Sequence, residues 1–401
     1  MPYTPQDSTY AQTYLAPLQA YHTSMLECIA TLVNIDSGTR QVAGVNHVMS
    51  FLERWLSEIG FTVTLHATPP FGNNLVARRK GKGSTRVLIV GHVDTVYGLG
   101  SAQTRPFSIT DGLAHGPGVI DMKSGVVMGV YALRALLDAG FDDYGELCVV
   151  FNNDEEVGSA GSSALLRDIA RQVDVGLVLE PTYNINTVTN ARKGADKYML
   201  EVHGVSAHSG AEPQHGRSAV IELAQKIIAI NHLHMLLRGV TFNVTRLSSS
   251  EPLNIVPDFA SCHISVRSFN QQGLDRAAAL LEQVVSGHSI PDTRSVLTRT
   301  PGRRPYEVTP QVMQLVALVQ QEGGALGYEI LASAKGGVSD ANLLMEMGVP
   351  TLDSLGPVGG NMHNLEREQL RVDSLIQRGA LLAGTIQHIC LSKYTGAKPS
   401  Y

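Results

Sequence analysis

Short apolar runs alternate with helical stretches along the first half of the chain. The apolar runs, which predict strands, lie near 62–66, 74–78, 86–91, 146–151 and 175–179. The stretches with helical spacing lie at 46–59, 122–140 and 160–172. Strands that alternate with helices favour an α/β fold, with a mostly parallel sheet that carries helices on both faces.

A different order of elements follows from about residue 193. The apolar pattern predicts, in order, strand 198–205, helix 218–230, strands 239–246 and 259–267, helix 273–286 and strand 294–299. This βαββαβ order is the ferredoxin-like α+β pattern. From about 309 the first rhythm resumes, with helix 309–323, strand 328–332, helix 340–347, strand 350–355 and helix 372–390. We therefore predict a catalytic domain formed by 1–192 and 305–401, with a second domain inserted at 193–304.

Ionisable side chains directly follow three of the predicted strands. His92 and Asp94 come after one strand, the adjacent Glu155 and Glu156 after the next, and Glu180 after the third. Ligands of α/β proteins bind where parallel strands end, so these side chains are candidates for a shared site. Because neighbouring side chains point in different directions, one glutamate can hold a metal while the other handles a proton.

Two further candidates lie in glycine-rich turns. Asp121 follows Gly116-Pro117-Gly118, and His363 follows Gly359-Gly360. Taken singly, a histidine at a strand end is usually a hydrogen-bonded surface residue, and an aspartate after such a turn is often a helix cap. Taken together, two histidines and three carboxylates form a ligand set suited to a pair of Zn²⁺-like ions.

Composition narrows the class of protein. The 401 residues carry a net charge of −5 without a basic stripe, so nucleic acid is not an expected partner. No stretch has the length and apolarity of a membrane span, and the N-terminus lacks the pattern of a signal peptide. The cysteines Cys28, Cys148, Cys262 and Cys390 show neither zinc-ribbon nor disulfide spacing. We therefore expect a cytoplasmic enzyme that does not bind membranes.

From about residue 20 to near the C-terminus, these ordered motifs resemble the dinuclear-zinc exopeptidases and deacylases. That family includes glutamate carboxypeptidase, acetylornithine deacetylase and succinyl-diaminopimelate desuccinylase. The resemblance implies two Zn²⁺ ions per chain, with Co²⁺ or Mn²⁺ as possible occupants of the same ligands. It implies that Asp121 bridges the metals, that His92 and Glu180 complete one position, and that Glu156 and His363 complete the other.

The same resemblance assigns roles beside the metals. Glu155 would be the general base that deprotonates a metal-bridging water, and Asp94 would orient His92, in agreement with the rule that ligating imidazoles are held by a carboxylate or carbonyl. A cis peptide bond is expected between Asp121 and Met122. His208, in Val205-Ser206-Ala207-His208-Ser209-Gly210, would be donated from a partner subunit to bind the oxyanion. The inserted domain would then be the lid and the surface of a homodimer.

The substrate side is less sharply defined by the sequence. The resemblance implies that Arg267 binds the substrate's terminal carboxylate, that Asn254 and Gly337 line the pocket, and that Arg304 reads an acidic side chain. Arg303 and Arg304 are equally compatible with a solvated hinge. Asn364-Leu365-Glu366 follows His363, where the glutamate carboxypeptidase branch has Ser-Asp, so the substrate of that branch does not carry over directly.

Three functions remain open at this point. The first is a zinc carboxypeptidase that releases a C-terminal residue, with glutamate as a candidate, from a small peptide or N-acyl amino acid. The second is an N-acyl amino acid deacylase of the acetylornithine deacetylase or desuccinylase type. The third is a non-catalytic binding protein on the same fold, against which the presence of Glu155 and a full ligand set argues.

Overall fold

The strands lie close to the apolar runs that predicted them. The computed structural model describes residues 9–250, 252–392 and 394. Its strands are β1 (Thr62–Ala67), β2 (Asn73–Lys80), β3 (Arg86–His92), β4 (Ser108–Thr110), β5 (Leu113–His115), β6 (Glu146–Asn152), β7 (Val175–Val178), β8 (Thr187–Arg192), β9 (Gly194–His203), β10 (Thr241–Ser249), β11 (Phe259–Ser268), β12 (Arg294–Thr300), β13 (Leu331–Lys335), β14 (Thr351–Leu352), β15 (Gly359–Gly360) and β16 (Gln369–Arg371).

The α-helices are longer than predicted at several ends. They are α1 (Leu15–Ala20), α2 (His22–Val33), α3 (Val42–Glu58), α4 (Ser101–Thr104), α5 (Ser124–Asp138), α6 (Ser163–Ala170), α7 (Ala219–Leu236), α8 (Gln271–Ser286), α9 (Pro310–Ala325), α10 (Asp340–Glu346) and α11 (Ser374–Leu391). None of the helices within the described residues has the length and apolarity needed to cross a membrane. The sequence did not predict α1 and α2, which precede the first alternating motif.

The chain divides into two compact units. The first contains the chain up to Asn190, Val308–Ala334 and the described residues from Ser339 onward. The second contains Ala191–Glu307 and the short segment Lys335–Val338. All seven residues predicted to bind or assist the metals belong to the first unit, and all five predicted to act on the substrate side belong to the second.

The main sheet of the first unit has the order β1-β2-β6-β3-β7-β14. Strand β3 is parallel to β6 and β7, and β14 is parallel to β7, while β1 and β2 form an antiparallel edge. Every residue of β3 and β6 after the first is buried, so both faces of the sheet are covered. This coverage explains the continuous apolar runs and confirms the predicted mostly parallel α/β fold.

Helix α5 lies directly against the end of β7. A Cβ atom added to Gly125 would lie 2.5 Å from the carbonyl oxygen of Leu179, which is too close for any side chain. Only glycine therefore fits at this position. Asp121 precedes this helix and Glu180 follows Leu179. The close approach at Gly125 therefore holds both carboxylates at the same edge of the sheet.

A small sheet with the order β15-β16-β5-β4 was not predicted. Its strands are two or three residues long, too short to leave an apolar pattern. Strand β5 leads into the turn that carries Asp121, and β15 and β16 flank the loop that carries His363. Because Gln369 of β16 pairs with His115 of β5, the small sheet joins the two loops.

The second unit contains an antiparallel sheet of order β10-β11-β9-β12. Helix α7 follows β9 and helix α8 follows β11, and both pack on the sheet around buried side chains such as Tyr198, Leu223 and Leu281. This is the ferredoxin-like βαββαβ order that the sequence predicted. The buried Lys226 donates to the carbonyl oxygens of Val284 and Val285 and pairs with Glu222 at 3.0 Å, which ties α7 to the end of α8.

Candidate metal centre

The ends of three parallel strands supply four of the site residues. His92 is the last residue of β3, Glu155 and Glu156 lie in a single helical turn after β6, and Glu180 lies just beyond β7. Since β3 lies between β6 and β7, these side chains meet at the middle of the sheet edge.

Asp121 lies at the centre of the cluster. Its Oδ1 atom is 3.2 Å from Nε2 of His92, and its Oδ2 atom is 3.2 Å from Nε2 of His363. Each histidine also has a glutamate beside it: Glu180 Oε1 lies 3.8 Å from His92 Nε2, and Glu156 Oε2 lies 3.3 Å from His363 Nε2. We call Asp121, His92 and Glu180 the His92 position, and Asp121, Glu156 and His363 the His363 position. One aspartate therefore serves two ligand groups through different oxygens.

Glu155 lies beside the His92 position without belonging to it in the predicted scheme. Ligand atoms of His92, Glu155 and Glu180 lie within 4.8 Å of one another, as do those of His92, Asp121 and Glu156. The carboxylate of Glu155 is thus close enough to exchange a proton with a water held in the cluster.

The buried Asp94 forms hydrogen bonds to the residues that carry the cluster. Its Oδ1 accepts the backbone N–H of Glu155 at 3.1 Å, and its Oδ2 accepts that of Glu156 at 3.2 Å. Thr39 donates its hydroxyl to the same carboxylate at 2.7 Å, and the backbone carbonyl of Asp94 lies 3.0 Å from Nδ1 of His92. Nδ1 of His92 is engaged in this way, so Nε2 is the nitrogen that faces the cluster.

The electrostatics of the cluster call for cations. Burial raises the pKa of Glu180 well above its ordinary value, and the carboxylate of Asp121 adds to the effect. Burial also raises the pKa of Glu156, whose Oε1 atom is buried without a hydrogen-bond partner. Hydrogen bonds to Asp121 and Glu156 raise the pKa of His363 to about 10. Crowded carboxylates, an orphaned oxygen and two imidazoles fit a pair of divalent cations, which would neutralise the carboxylates and use the imidazole nitrogens as ligands.

The loops that carry the cluster are held by buried polar contacts. Asn152, at the end of β6, donates to Asp340 at 2.6 Å, and the hydroxyl of Ser159 donates to the same carboxylate at 2.6 Å. The peptide bond between Asp121 and Met122 is cis, which confirms the expectation from the resemblance.

The sequence analysis missed two residues of the site, Thr39 and Glu368. Thr39 donates to Asp94, and Glu368 accepts backbone N–H groups of the Asp121 turn. Each lies in a polar stretch that gives no sequence signal.

His208 lies exposed in the second unit with a defined ring orientation. The backbone N–H groups of Gly210 and Ala211 donate to its Nδ1 atom at 3.1 Å and 3.0 Å. Because Nδ1 accepts these bonds, the proton of the neutral ring lies on Nε2. His208 therefore presents an N–H donor to its surroundings.

The four predicted substrate-side residues of the second unit are also exposed. Arg267 donates from Nη1 to the carbonyl oxygen of Gly336 at 3.2 Å, and the carbonyl oxygen of Gly337 accepts from Arg192 at 3.0 Å. The carbonyl oxygen of Asn254 accepts from the backbone of Ser209 at 2.9 Å, which fixes Asn254 beside the His208 turn. Arg304 lies in the segment between β12 and α9. The structure thus places Arg267 next to Gly336 and Gly337, and Asn254 next to the His208 turn.

A histidine and carboxylate cluster at the end of a parallel sheet is typical of metallohydrolases. The comparison with known families agrees, because the model of peptidase family M20/M25/M40 matches residues 88–388. The chain belongs to this family and is therefore a hydrolase.

Similar proteins cover nearly the whole chain. Carboxypeptidase G2 of Pseudomonas sp. (strain RS-16) is 29% identical over 377 residues, which span 92% of this chain and 90% of that protein. Succinyl-diaminopimelate desuccinylase of Dechloromonas aromatica is 26% identical over 391 residues, or 91% of this chain and 98% of that protein. The crystal structure of Bacillus subtilis YxeP, a dinuclear metal-binding peptidase from the M20 family, has the same fold, with a TM-score of 0.66 at 17% identity over 92% of this chain and 99% of that one.

Proposed function

We propose that this chain is a carboxypeptidase that holds two divalent cations and hydrolyses the amide bond next to a C-terminal residue. The observation that carries the proposal is the position of Asp121, whose two oxygens face His92 and His363 while Glu155 lies beside them. The similarity to carboxypeptidase G2 supports carboxypeptidase activity, and glutamate is the first candidate for the residue released.

Two Zn²⁺ ions are the proposed occupants, with Co²⁺ and Mn²⁺ as alternatives that suit the same ligands. The His92 position and the His363 position would each hold one ion, with Asp121 shared. When bound, such ions supply Lewis acidity, which polarises the scissile carbonyl and makes water acidic enough to react near neutral pH.

Glu155 performs the proton transfers in this proposal. Its carboxylate takes a proton from the attacking water and returns it to the nitrogen of the leaving amine, so one residue serves as base and then as acid. The backbone bond from Glu155 to Asp94 fixes the turn that places the carboxylate near His92 and Glu180, where the attacking water would lie in this proposal.

His208 stabilises the oxyanion through Nε2–H, and we propose that it acts in the site of a partner subunit. Its tautomer supports the role, since the two bonds accepted by Nδ1 leave Nε2 as the donor. A homodimer is further supported by helix α7, on which Ile221, Ile228 and Met235 lie on one face with 50%, 53% and 76% of their surface exposed. An apolar stripe of this kind is suited to a second copy of the same helix.

Arg267 is the proposed reader of the substrate's terminal carboxylate. Among the described residues, Arg267 donates from Nη1 to the carbonyl of Gly336, and the other N–H groups of the planar guanidinium suit a bidentate carboxylate contact. Asn254 and Gly337 would line the same pocket, and Arg304 would contact an acidic side chain. A cytoplasmic location is proposed with this function, since the buried Cys148, Cys262 and Cys390 are free thiols.

N-acyl amino acid deacylation is the second candidate. The similarity to a succinyl-diaminopimelate desuccinylase over 91% of the chain favours it, and the two activities would use the same cluster and base. A binding protein without catalysis is disfavoured, because Glu155 stands in position beside a complete ligand set.

The test is hydrolysis of a matched substrate panel by the zinc-loaded protein. The panel contains N-acyl glutamates, other N-acyl amino acids, short dipeptides, N-acetylornithine and N-succinyl-diaminopimelate, each assayed beside metal-free protein. Preference for a C-terminal glutamate would support the proposal together with the role of Arg304. Preference for the acetyl or succinyl substrates would select the deacylase, and equal rates with and without metal would overturn both.

A further inference from the structure

Glu368 is a buried carboxylate that the proposed chemistry does not use. Its Oε1 accepts the backbone N–H groups of Ile120 at 3.0 Å and Asp121 at 3.2 Å. Its Oε2 accepts the N–H of Gly118 at 3.2 Å and the hydroxyl of Tyr97. Charged acceptors form the stronger hydrogen bonds of proteins, and here four donors converge on one carboxylate.

These donors come from two different ligand-bearing segments. Tyr97 follows His92 and Asp94 at the end of β3, and Gly118, Ile120 and Asp121 form the turn before α5. Glu368 itself belongs to a third segment, the loop between β15 and β16 that carries His363. One side chain therefore links the segments that carry His92, Asp121 and His363.

Hydrogen bonds within the loop that carries His363 couple the position of Glu368 to that of His363. The backbone N–H of Glu368 donates to the carbonyl oxygen of Asn364 at 2.8 Å, and the side chain of Asn361 donates to the carbonyl oxygen of Arg367 at 3.1 Å. Gly118, at φ 69, also lies where an added Cβ would be 2.5 Å from Cγ2 of Thr95, so the turn has little room to move. A shift of Glu368 would consequently move His363 relative to Asp121.

We infer that Glu368 is a positioning residue that sets the separation of Asp121 and His363 and thereby the affinity of the His363 position for its cation. The inference rests on the proposed function, because it concerns the second of the two proposed ions. A carboxylate is required, since a glutamine in its place would turn an NH₂ group toward at least one of the N–H donors. The His92 position, which has no ligand on the same loop, should be affected less.

The experiment compares cation binding by wild-type protein and Glu368→Gln. Each is stripped of metal and titrated with Zn²⁺ by calorimetry, and with Co²⁺ by visible absorption, which reports ligand geometry. Partners behind metal ligands typically change affinity by about 10- to 100-fold. We therefore expect wild type to bind two ions, and the variant to bind one with near wild-type affinity and the second at least about 10-fold more weakly. Activity of the variant should rise when Zn²⁺ is raised.

Glu322→Gln is the matched control. Glu322 is likewise a buried carboxylate of the first unit, but its partners in the described part of the chain, such as the backbone N–H of Ala11 at 2.7 Å and His388, lie outside the cluster. The Glu322→Gln substitution should lower the melting temperature and leave the affinities for both cations unchanged. Tyr97→Phe, which removes one donor and keeps the carboxylate, should weaken the second ion less than Glu368→Gln does.

The outcomes separate this inference from the proposed function. Wild-type protein that binds fewer than two ions would overturn the proposed function and this inference with it. Two ions in wild type and unchanged or equally weakened affinities in Glu368→Gln would overturn this inference alone. If Glu368→Gln does not fold, Tyr97→Phe decides: a loss confined to the second ion supports the inference, and two unchanged affinities contradict it.

Discussion

Asp94 accepts the backbone N–H of Glu155 at 3.1 Å, so the strand that ends at His92 fixes the proposed base of the neighbouring strand. The same carboxylate accepts from Glu156 and Thr39, and its backbone carbonyl faces His92. In the proposed scheme, Asp94 would therefore orient both a ligand and the base, whereas the family resemblance implied a role toward His92 alone.

Asp94→Asn should lower kcat by about 10- to 100-fold, because the introduced NH₂ group opposes one of the backbone N–H donors and displaces the turn of Glu155. Metal content should stay near two ions per chain. The check is steady-state kinetics on the zinc-loaded variant beside metal analysis. If kcat of the variant equals that of the wild type, the bonds to Asp94 do not position the base.

Glu155→Gln should abolish turnover and leave the two-ion metal content intact, because the variant keeps the backbone bonds of the turn but cannot accept a proton. Metal analysis and a hydrolysis assay on the same sample test this. Normal turnover would remove Glu155 as the base, and loss of metal would make it a ligand instead.

Arg267→Ala should raise KM and lower kcat/KM by at least about 100-fold for substrates with a free C-terminal carboxylate. This fold-change corresponds to the loss of a charge-assisted contact worth about 3 kcal/mol. Substrates amidated at that position should be affected far less. Arg294→Ala, at an exposed arginine on β12, provides a control for loss of surface charge. Equal losses on acid and amide substrates would contradict carboxylate recognition.

Arg378→Met should destabilise the first unit by about 4 kcal/mol, since several buried carbonyls lose their donor at once. The buried Arg378 donates to the carbonyl oxygens of Gly356, Ile185, Thr187 and Ser354. Urea unfolding followed by the fluorescence of Trp55, the single tryptophan, reports on this unit. Arg371→Met, which breaks only an exposed pair with Asp373, should cost less than about 1 kcal/mol.

The pair Glu222–Lys226 should make the second unit sensitive to acid. Burial alone would raise the pKa of Glu222, but Lys226 and the N–H groups of Ile290 and Ser289 lower it below the ordinary value. A lowered carboxyl pKa stabilises the folded state above the ordinary pKa of about 4.3, and this stabilisation is lost as pH falls through the lowered value.

Glu222→Gln should therefore be less stable than wild type at pH 7, with a difference that disappears at acid pH. Urea unfolding followed by circular dichroism from pH 7 to pH 3 measures this, while Trp55 fluorescence follows the first unit separately. A difference that stays constant over the whole range would show that the charge of Glu222 does not contribute.

The sequence predicted the parts of the site that follow buried strands. The apolar runs before His92, Glu155 and Glu180 fix both the strands and the edge at which these residues meet, because parallel strands end together. The placement of His363 opposite Asp121 came from the family resemblance, since no local pattern connects two loops so far apart in the chain. The structure explains it by the pairing of β5 with β16, whose short strands carry no periodic signal.

The buried polar residues that contact the cluster were the main part of the site that the sequence did not reveal. Thr39 and Glu368 lie in polar stretches that read as ordinary loops, and only the fold shows that their side chains are buried against the cluster. Burial of a carboxylate depends on donors that arrive from elsewhere in the chain, so composition and periodicity cannot reveal it.

The split construction of the first unit has a consequence for biosynthesis. Its last segments, the loop with His363 and helix α11, which packs on α5, are made after the whole stretch Ala191–Glu307 of the second unit. Domains fold as units while the chain emerges from the ribosome. A nascent chain thus carries Glu155, Asp121 and His92 but lacks the histidine that completes the cluster. In the proposed scheme, hydrolytic activity would begin only after the segment with His363 has been made and has joined the first unit.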